Sequence, residues 1–484
     1  MAENMAENTA DEALKQEVDA YVDEVWEDVV ADIDRLVRIR SVEDKAAAVP
    51  GMPWGPASHE ALETAVGIAA RLGLDAHDCD GYIGYADLPG KTDVQVATIA
   101  HTDVVPEGLG WHFDPFTVTR KDGYLVGRGV QDDKGPFVLS LYAAHFFARQ
   151  VERTGERLPY TLRCIIGNDE ETTMADVEWY LEHYPEPAFC FSPDADFPLI
   201  CGEKGLYGGQ FTSGHVAGHR ILRLEGGTVS NAVPGQATAV VRATADELPA
   251  ADGIDIEAGA DGTFLLTAHG KGGHASMPEG TVNAIALLVD YLLDHDICSR
   301  GEMTFLGMEQ QLLSSTDGSS VGAASADDKF GPLTLIGGTV RTVGDQFVQT
   351  IDSRYPTSIT GDELRECLAE FGIQFGCDYE QWRDVPPFYV DPELPEIRTL
   401  LDTYEEYTGR PGKAFTIGGG TYARHFQRAA AFGPHDPAVQ DPDWVGIEHG
   451  PDEAVSEESL RRALKIYIVS IARLMELDLS QPEA

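Results

Sequence analysis

Four short apolar runs, at residues 94–100, 160–166, 189–192 and 429–432, are separated by longer stretches with helical periodicity. A run of four to seven apolar residues with no polar alternation has no face it can leave in water, so it must be covered on both sides. Runs of this kind interleaved with amphipathic helices call for a sheet layered between helices, and the predicted class is α/β. The helical period is clearest from Leu14 to Ile39, where Leu14, Val18, Val22, Val25, Val29, Ile33 and Leu36 recur at three- and four-residue spacing. A second helix is predicted over 58–72, closed by Gly73-Leu74; another opens at Gly135-Pro136, and the last covers 456–474.

Between 205 and 387 the pattern changes. Strand-like runs dominate there, with helices predicted only near 282–293 and 363–371, and the Gly/Ser/Ala/Asp-rich stretch 314–328 reads as a long surface loop. This is an α+β domain inserted into an α/β core. The expected domains are therefore 1–204 for the first part of the core, 205–387 for the insert and 388–484 for the second part of the core.

The 484 residues carry 35 Lys+Arg against 81 Asp+Glu, a formal charge of −46. A surface this negative repels phosphate backbones and anionic headgroups, so neither nucleic acid nor membrane is an expected partner. Seven cysteines without a C-x-x-C pair argue against a disulfide framework or a cysteine zinc site. The acidic N-terminus does not read as a signal peptide, and no apolar run approaches the ~20 residues of a membrane span. The expectation is a soluble, cytoplasmic protein.

The chemistry lies in the residues that come directly after the apolar runs. His101-Thr102-Asp103 succeeds 94–100, Asn168-Asp169-Glu170-Glu171 succeeds 160–166, and Asp194 succeeds 189–192; Asp132-Asp133 stands just before the helix at Pro136. In open α/β sheets, ligands bind beyond the carboxyl ends of the strands. Imidazole with carboxylates and no cysteine suits Zn²⁺, or Mn²⁺ and Co²⁺ at lower affinity. A pair of ions needs one shared carboxylate plus a histidine and a carboxylate on each side. That requires a second histidine, and His449 in the loop Glu448-His449-Gly450-Pro451 is the best placed. His59-Glu60 does not start a zincin motif, because Glu63 stands where a histidine is needed.

Six stretches carry a resemblance. They are His101-Thr102-Asp103-Val104-Val105-Pro106, Gly127-Arg128-Gly129-Val130-Gln131-Asp132-Asp133-Lys134-Gly135-Pro136, Gly167-Asn168-Asp169-Glu170-Glu171-Thr172, Ser192-Pro193-Asp194, Gly418-Gly419-Gly420-Thr421 and His449-Gly450-Pro451-Asp452-Glu453. Through them the chain resembles the M20 metallopeptidase family, and within it the PepV-like (Sapep-like) dipeptidases. The resemblance implies a di-metal catalytic domain, a mixed sheet flanked by helices, with a large inserted α+β lid domain. It implies two divalent ions, Zn²⁺ first and Mn²⁺ or Co²⁺ as alternatives. His101 and Asp194 would bind one ion, Glu171 and His449 the other, and Asp132 would bridge them. Glu170 would be the general base and Asp103 the carboxylate that orients an imidazole.

For the lid, the resemblance assigns His274, in Gly272-Gly273-His274-Ala275-Ser276, to the developing oxyanion, with Asn231 sharing that environment. Arg354 would pair with a substrate carboxylate, helped by the N–H groups of Gly419 and Gly420. A lid this long implies an active monomer, with a homodimer as the alternative. The implied reaction is hydrolysis of dipeptides with a free C-terminal carboxylate; the alternative is an N-acyl amino-acid amidohydrolase or deacylase.

Overall fold

The apolar runs become strands of one mixed sheet. Gln95–His101 lies parallel between Thr161–Gly167 and Phe189–Ser192, and Ala429–Ala431 continues the parallel set beyond Phe189–Ser192. All seven residues of Thr161–Gly167 are buried, as are the last six of Gln95–His101, which is what an unalternating apolar run predicts. On one side the sheet turns antiparallel through Ile83–Leu88 and Asp75–Cys79; on the other, Ala431 pairs antiparallel with Ile200. The computed structural model describes residues 2–216 and 218–479.

Register sets the functional edge. Ala100 stands opposite Ile166 and His101 opposite Gly167, so the two parallel strands end level and deliver their next residues to the same edge. The helix Lys134–Thr154 covers the sheet and buries Phe137, Val138, Leu139, Leu141, Tyr142, Phe146 and Phe147. Each such side chain contributes about 1.5–3 kcal/mol by leaving water. The C-terminal helix Glu457–Leu474 packs against this helix and against the N-terminal one. Its stripe of Leu460, Leu464, Tyr467, Ile468 and Ile471 is buried, as its periodicity requires.

The chain divides into two compact units. One comprises 1–201, 389–415 and 420–484; the other comprises 202–388 and 416–419. The second unit is built on an eight-stranded antiparallel sheet in the spatial order 254–258, 263–269, 236–242, 221–226, 334–343, 346–355, 205–212, 378–385. Ala284–Asp294, Arg300–Leu312 and Gly361–Gln374 are its helices, and their apolar faces form its core with the sheet. The α/β class with an α+β insert is therefore what the chain adopts.

Three boundaries differ from expectation. The first helix runs Ala2–Val37, starting well before Leu14, because helix continues through a stretch with no apolar stripe. Arg300–Leu312 is a helix that periodicity does not disclose, since Gly301, Thr304 and Gly307 dilute its pattern. Its signal is Ser299 with Glu302, which form a reciprocal capping box. Within 314–328 the chain is not all loop: it makes the turn Ser319–Val321 and the short strand Ala326–Asp327.

Gly135 carries a tight constraint beside the functional edge. A Cβ there would lie 2.1 Å from the carbonyl oxygen of Val130, backbone that cannot rotate away. Gly135→Ala should therefore cost about 1–3 kcal/mol by overpacking and displace the Asp132 turn. Calorimetry should show a lowered melting transition; an unchanged one would mean that the turn yields freely.

Candidate metal centre

His101 ends its strand with a fully buried side chain. Its Nε2 lies 3.0 Å from Asp132 Oδ1 and 3.5 Å from Asp194 Oδ2. The other Asp132 oxygen, Oδ2, lies 3.0 Å from His449 Nε2, which is also 3.0 Å from Glu171 Oε2. The structure thus brings together two groups of donors, His101/Asp132/Asp194 and Asp132/Glu171/His449, each with its ligand atoms within 4.8 Å of one another. One carboxylate belongs to both.

These residues fit a pair of divalent ions. A tetrahedral ion with bonds of about 2.1 Å holds its donors about 3.4 Å apart, close to the separations seen here. Glu171 Oε1 and Asp133 Oδ1 are buried with no hydrogen-bond partner among the described residues. The electrostatics point the same way. Burial, then the Asp132 charge, pushes the Glu171 carboxyl up to about 7. Burial with repulsion from Asp194, Glu171 and Asp132 raises Glu170 well above the carboxylate range, although His101 opposes it. Burial alone would lower both imidazoles. Asp103, Asp132 and Asp194 outweigh it at His101, and Asp132 with Glu171 lifts His449 to about 11. Cations placed between these groups would relieve the repulsion and hold the carboxylates ionised.

The surrounding residues hold the donors in place. His101 Nδ1 faces the Asp103 carbonyl oxygen at 3.0 Å and its carboxylate at 3.3 Å. The Asp103 carboxylate also accepts the main-chain N–H groups of Glu170 (3.3 Å) and Glu171 (3.1 Å). Asp103 therefore orients an imidazole and the Glu-Glu turn at once. Asp176, which sequence reasoning does not single out, accepts the N–H groups of Asn168 and Asp169 and the Tyr422 hydroxyl. Asp133, which the sequence marks only as a neighbour of Asp132, accepts the His101 N–H at 3.0 Å. No local signal separates two adjacent aspartates into ligand and anchor. Lys134, buried in the same stretch, donates to the carbonyls of Leu36 and Ile39.

The remaining predicted residues, Gly420 apart, belong to the second unit. Asn231 and His274 meet on a small ribbon, where Ala232 pairs with His274 and the Asn231 carbonyl accepts the Ala275 N–H at 2.9 Å. The Ser276 N–H lies 3.2 Å from His274 Nδ1, and Ser276 Oγ lies 2.7 Å from the same nitrogen. Gly418 packs against Ser276, and Gly419 is next in the chain; Gly420 belongs to the first unit. Arg354 is buried, and its Nε and Nη2 fork onto the Asp352 carboxylate at 2.8 and 3.2 Å. A G-x-S-x-G pattern occurs at 318–322, but Ser320 sits in a turn and donates to the Leu312 carbonyl, unlike a strand-to-helix nucleophile.

The sequence profile described as Peptidase family M20/M25/M40 matches residues 97–473. The chain belongs to this family. Such peptidases bind two divalent metal ions, and the two donor groups are where this chain would hold them. "Putative dipeptidase YtjP" of Bacillus subtilis is 30% identical over 463 residues, covering 93% of this chain and 97% of that protein. The Beta-Ala-Xaa dipeptidase of Lactobacillus delbrueckii subsp. lactis is 28% identical over 471 residues, with 92% and 96% covered. The solved di-peptidase Dug1p of Saccharomyces cerevisiae shares the fold, with a TM-score of 0.62 at 12% identity over 96% of this chain and 99% of that one. Among the described residues, no helix is long and apolar enough to cross a membrane.

Asp132 reaches both donor groups, whereas His449 reaches one. Asp132→Asn should therefore weaken both ions, while His449→Ala should release one and leave the other. Metal content after dialysis checks this: close to zero for the first variant and one ion per chain for the second. Equal losses from both variants would contradict the bridging geometry.

Proposed function

We propose that this chain is a metal-dependent dipeptidase that hydrolyses the amide bond of dipeptides with a free C-terminal carboxylate. The observation that carries the reading is the Asp132 carboxylate, with one oxygen toward His101 and Asp194 and the other toward Glu171 and His449. Nitrogen and oxygen donors without cysteine favour Zn²⁺, with Mn²⁺ or Co²⁺ as the alternatives. When bound, a pair of divalent ions acidifies water and polarises the scissile carbonyl.

The protein's own groups do the rest. Glu170 takes the proton of the attacking water and passes it to the leaving nitrogen. Burial beside Asp194, Glu171 and Asp132 raises its carboxyl above the ordinary range, and a carboxylate within reach of the attacking water serves as general base. Asp103 holds the Glu170 and Glu171 amides, so the base and the ligand on either side of one peptide bond diverge to different tasks. His274 donates to the developing oxyanion, with Asn231 beside it on the ribbon. Arg354 and the amides of Gly419 and Gly420 recognise the terminal carboxylate; because Asp352 occupies two of its donors, Arg354 offers the carboxylate Nη1 and its charge. The long insert supports a chain that works as a monomer, and the chain's charge supports a soluble, cytoplasmic enzyme.

The deciding experiment is turnover of the Zn²⁺-, Mn²⁺- and Co²⁺-loaded protein on a dipeptide panel beside the same dipeptides as C-terminal amides and N-acetyl amino acids. Free dipeptides should be cleaved and the other two classes should fall at least tenfold behind in kcat/KM. Preference for N-acetyl amino acids would establish the deacylase reading instead. Glu170→Gln should retain both ions while kcat falls about 10³-fold; near-normal turnover would remove Glu170 as the base.

A further inference from the structure

His101 and His449 are held differently. His101 is fully buried, with Asp103 and Asp133 on its ring and amide, whereas the His449 side chain is 52% exposed and has no comparable packing. His449 also has φ +61°, and Asp452 in the same loop has φ +55°, left-handed conformations that non-glycine residues hold only when their surroundings enforce them. Something must therefore fix this loop against the Asp132 turn.

The enforcing contact is a buried ion pair that the reaction scheme does not use. Arg128 and Glu453 are 1% and 0% exposed and lie 325 residues apart. Glu453 Oε2 accepts from Arg128 Nη1, while Oε1 accepts the main-chain N–H groups of Gly129 (3.0 Å), Gln131 (3.0 Å) and Asp132 itself (3.2 Å). The Glu453 carbonyl accepts the Gly127 N–H at 3.0 Å. In return Arg128 Nη2 reaches back to the carbonyl of Gly450, the residue after His449, at 3.2 Å. Each loop thus sends one charged side chain into the other. The Arg128 guanidinium also lies 5.4 Å from the Trp111 ring, and His112 and Phe113 donate their amides to Asp452, so a third loop braces the same junction.

We infer that Arg128 and Glu453 are positioning residues that set the distance between the bridging Asp132 and His449, and thereby the affinity of the second metal position. The inference rests on the two-ion reading of the site. Taking two charges out of water is costly and is repaid only by well-aligned partners, and every hydrogen-bond partner of these two side chains lies on one of the two loops that must be held together. Among the described residues no hydrogen bond or ion pair joins it to Asp194 or His101, so it reaches their side only through Asp132 and acts most directly on the His449 side.

The test uses Glu453→Gln, which keeps an acceptor but loses the charge, and Arg128→Lys, which keeps the charge but loses the fork. In the metal-free proteins, hydrogen exchange of the 127–132 amides should accelerate at least tenfold in Glu453→Gln while the strand Thr161–Gly167 exchanges as before. In a two-step Zn²⁺ titration, with the His449 step identified by its loss in His449→Ala, that step should weaken at least tenfold and the other less than threefold. Arg128→Lys should weaken the same step by a smaller factor. Equal weakening of both steps, unchanged steps, or acceleration of exchange throughout the sheet would overturn the inference. A single step in the unmodified protein would overturn the two-ion reading itself, and this inference with it.

Discussion

The structure depends on holding Asp132, Asp133, Glu170, Glu171 and Asp194 around two imidazoles at one sheet edge against their mutual repulsion. Burial and like charge work together there, which is why the Glu170 and Glu171 carboxyls sit above their ordinary range and both histidines are drawn toward protonation. Divalent cations held between these groups would relieve that repulsion. The acidic excess of the chain, 81 Asp+Glu against 35 Lys+Arg, extends far beyond these five groups.

Backbone hydrogen bonding makes the concentration possible. Parallel strands ending level at His101 and Gly167 place the turns after them side by side, and the acids are anchored by main-chain N–H groups as much as by cations. Asp103, Asp176 and Glu453 each accept two or three amides. A carboxylate satisfied this way is rigid, and rigidity is what metal donors with separations near 3 Å require. The Arg128–Glu453 pair extends the same device across two loops far apart in the chain.

The second unit holds its polar side chains by different means. His274 meets the main-chain amide and the hydroxyl of Ser276 through Nδ1. Arg354 is less free than a surface arginine because Asp352 neutralises part of its charge. That pairing keeps a buried guanidinium tolerable and aligns its plane.

Much of this is legible in the amino-acid order. Apolar runs without alternation can only be interior strands, and histidines and acids placed directly after them must emerge at the sheet's edge; position and motif together single out His101, Asp132, Glu171, Asp194 and His449, and the fold brings them together. The helix Arg300–Leu312 is hidden because its glycines blur the apolar stripe, although its capping box is present. Asp133, Asp176 and Arg128–Glu453 cannot be assigned their contacts from sequence, because His101 for Asp133, Tyr422 for Asp176 and the two members of the ion pair meet from 32, 246 and 325 residues apart. Local sequence determines periodicity, turn chemistry and which side chains can bind a cation. Which of two neighbouring carboxylates turns toward the ion and which toward the backbone was decided only by tertiary contacts, since both choices are locally alike and differ only in the groups that meet them.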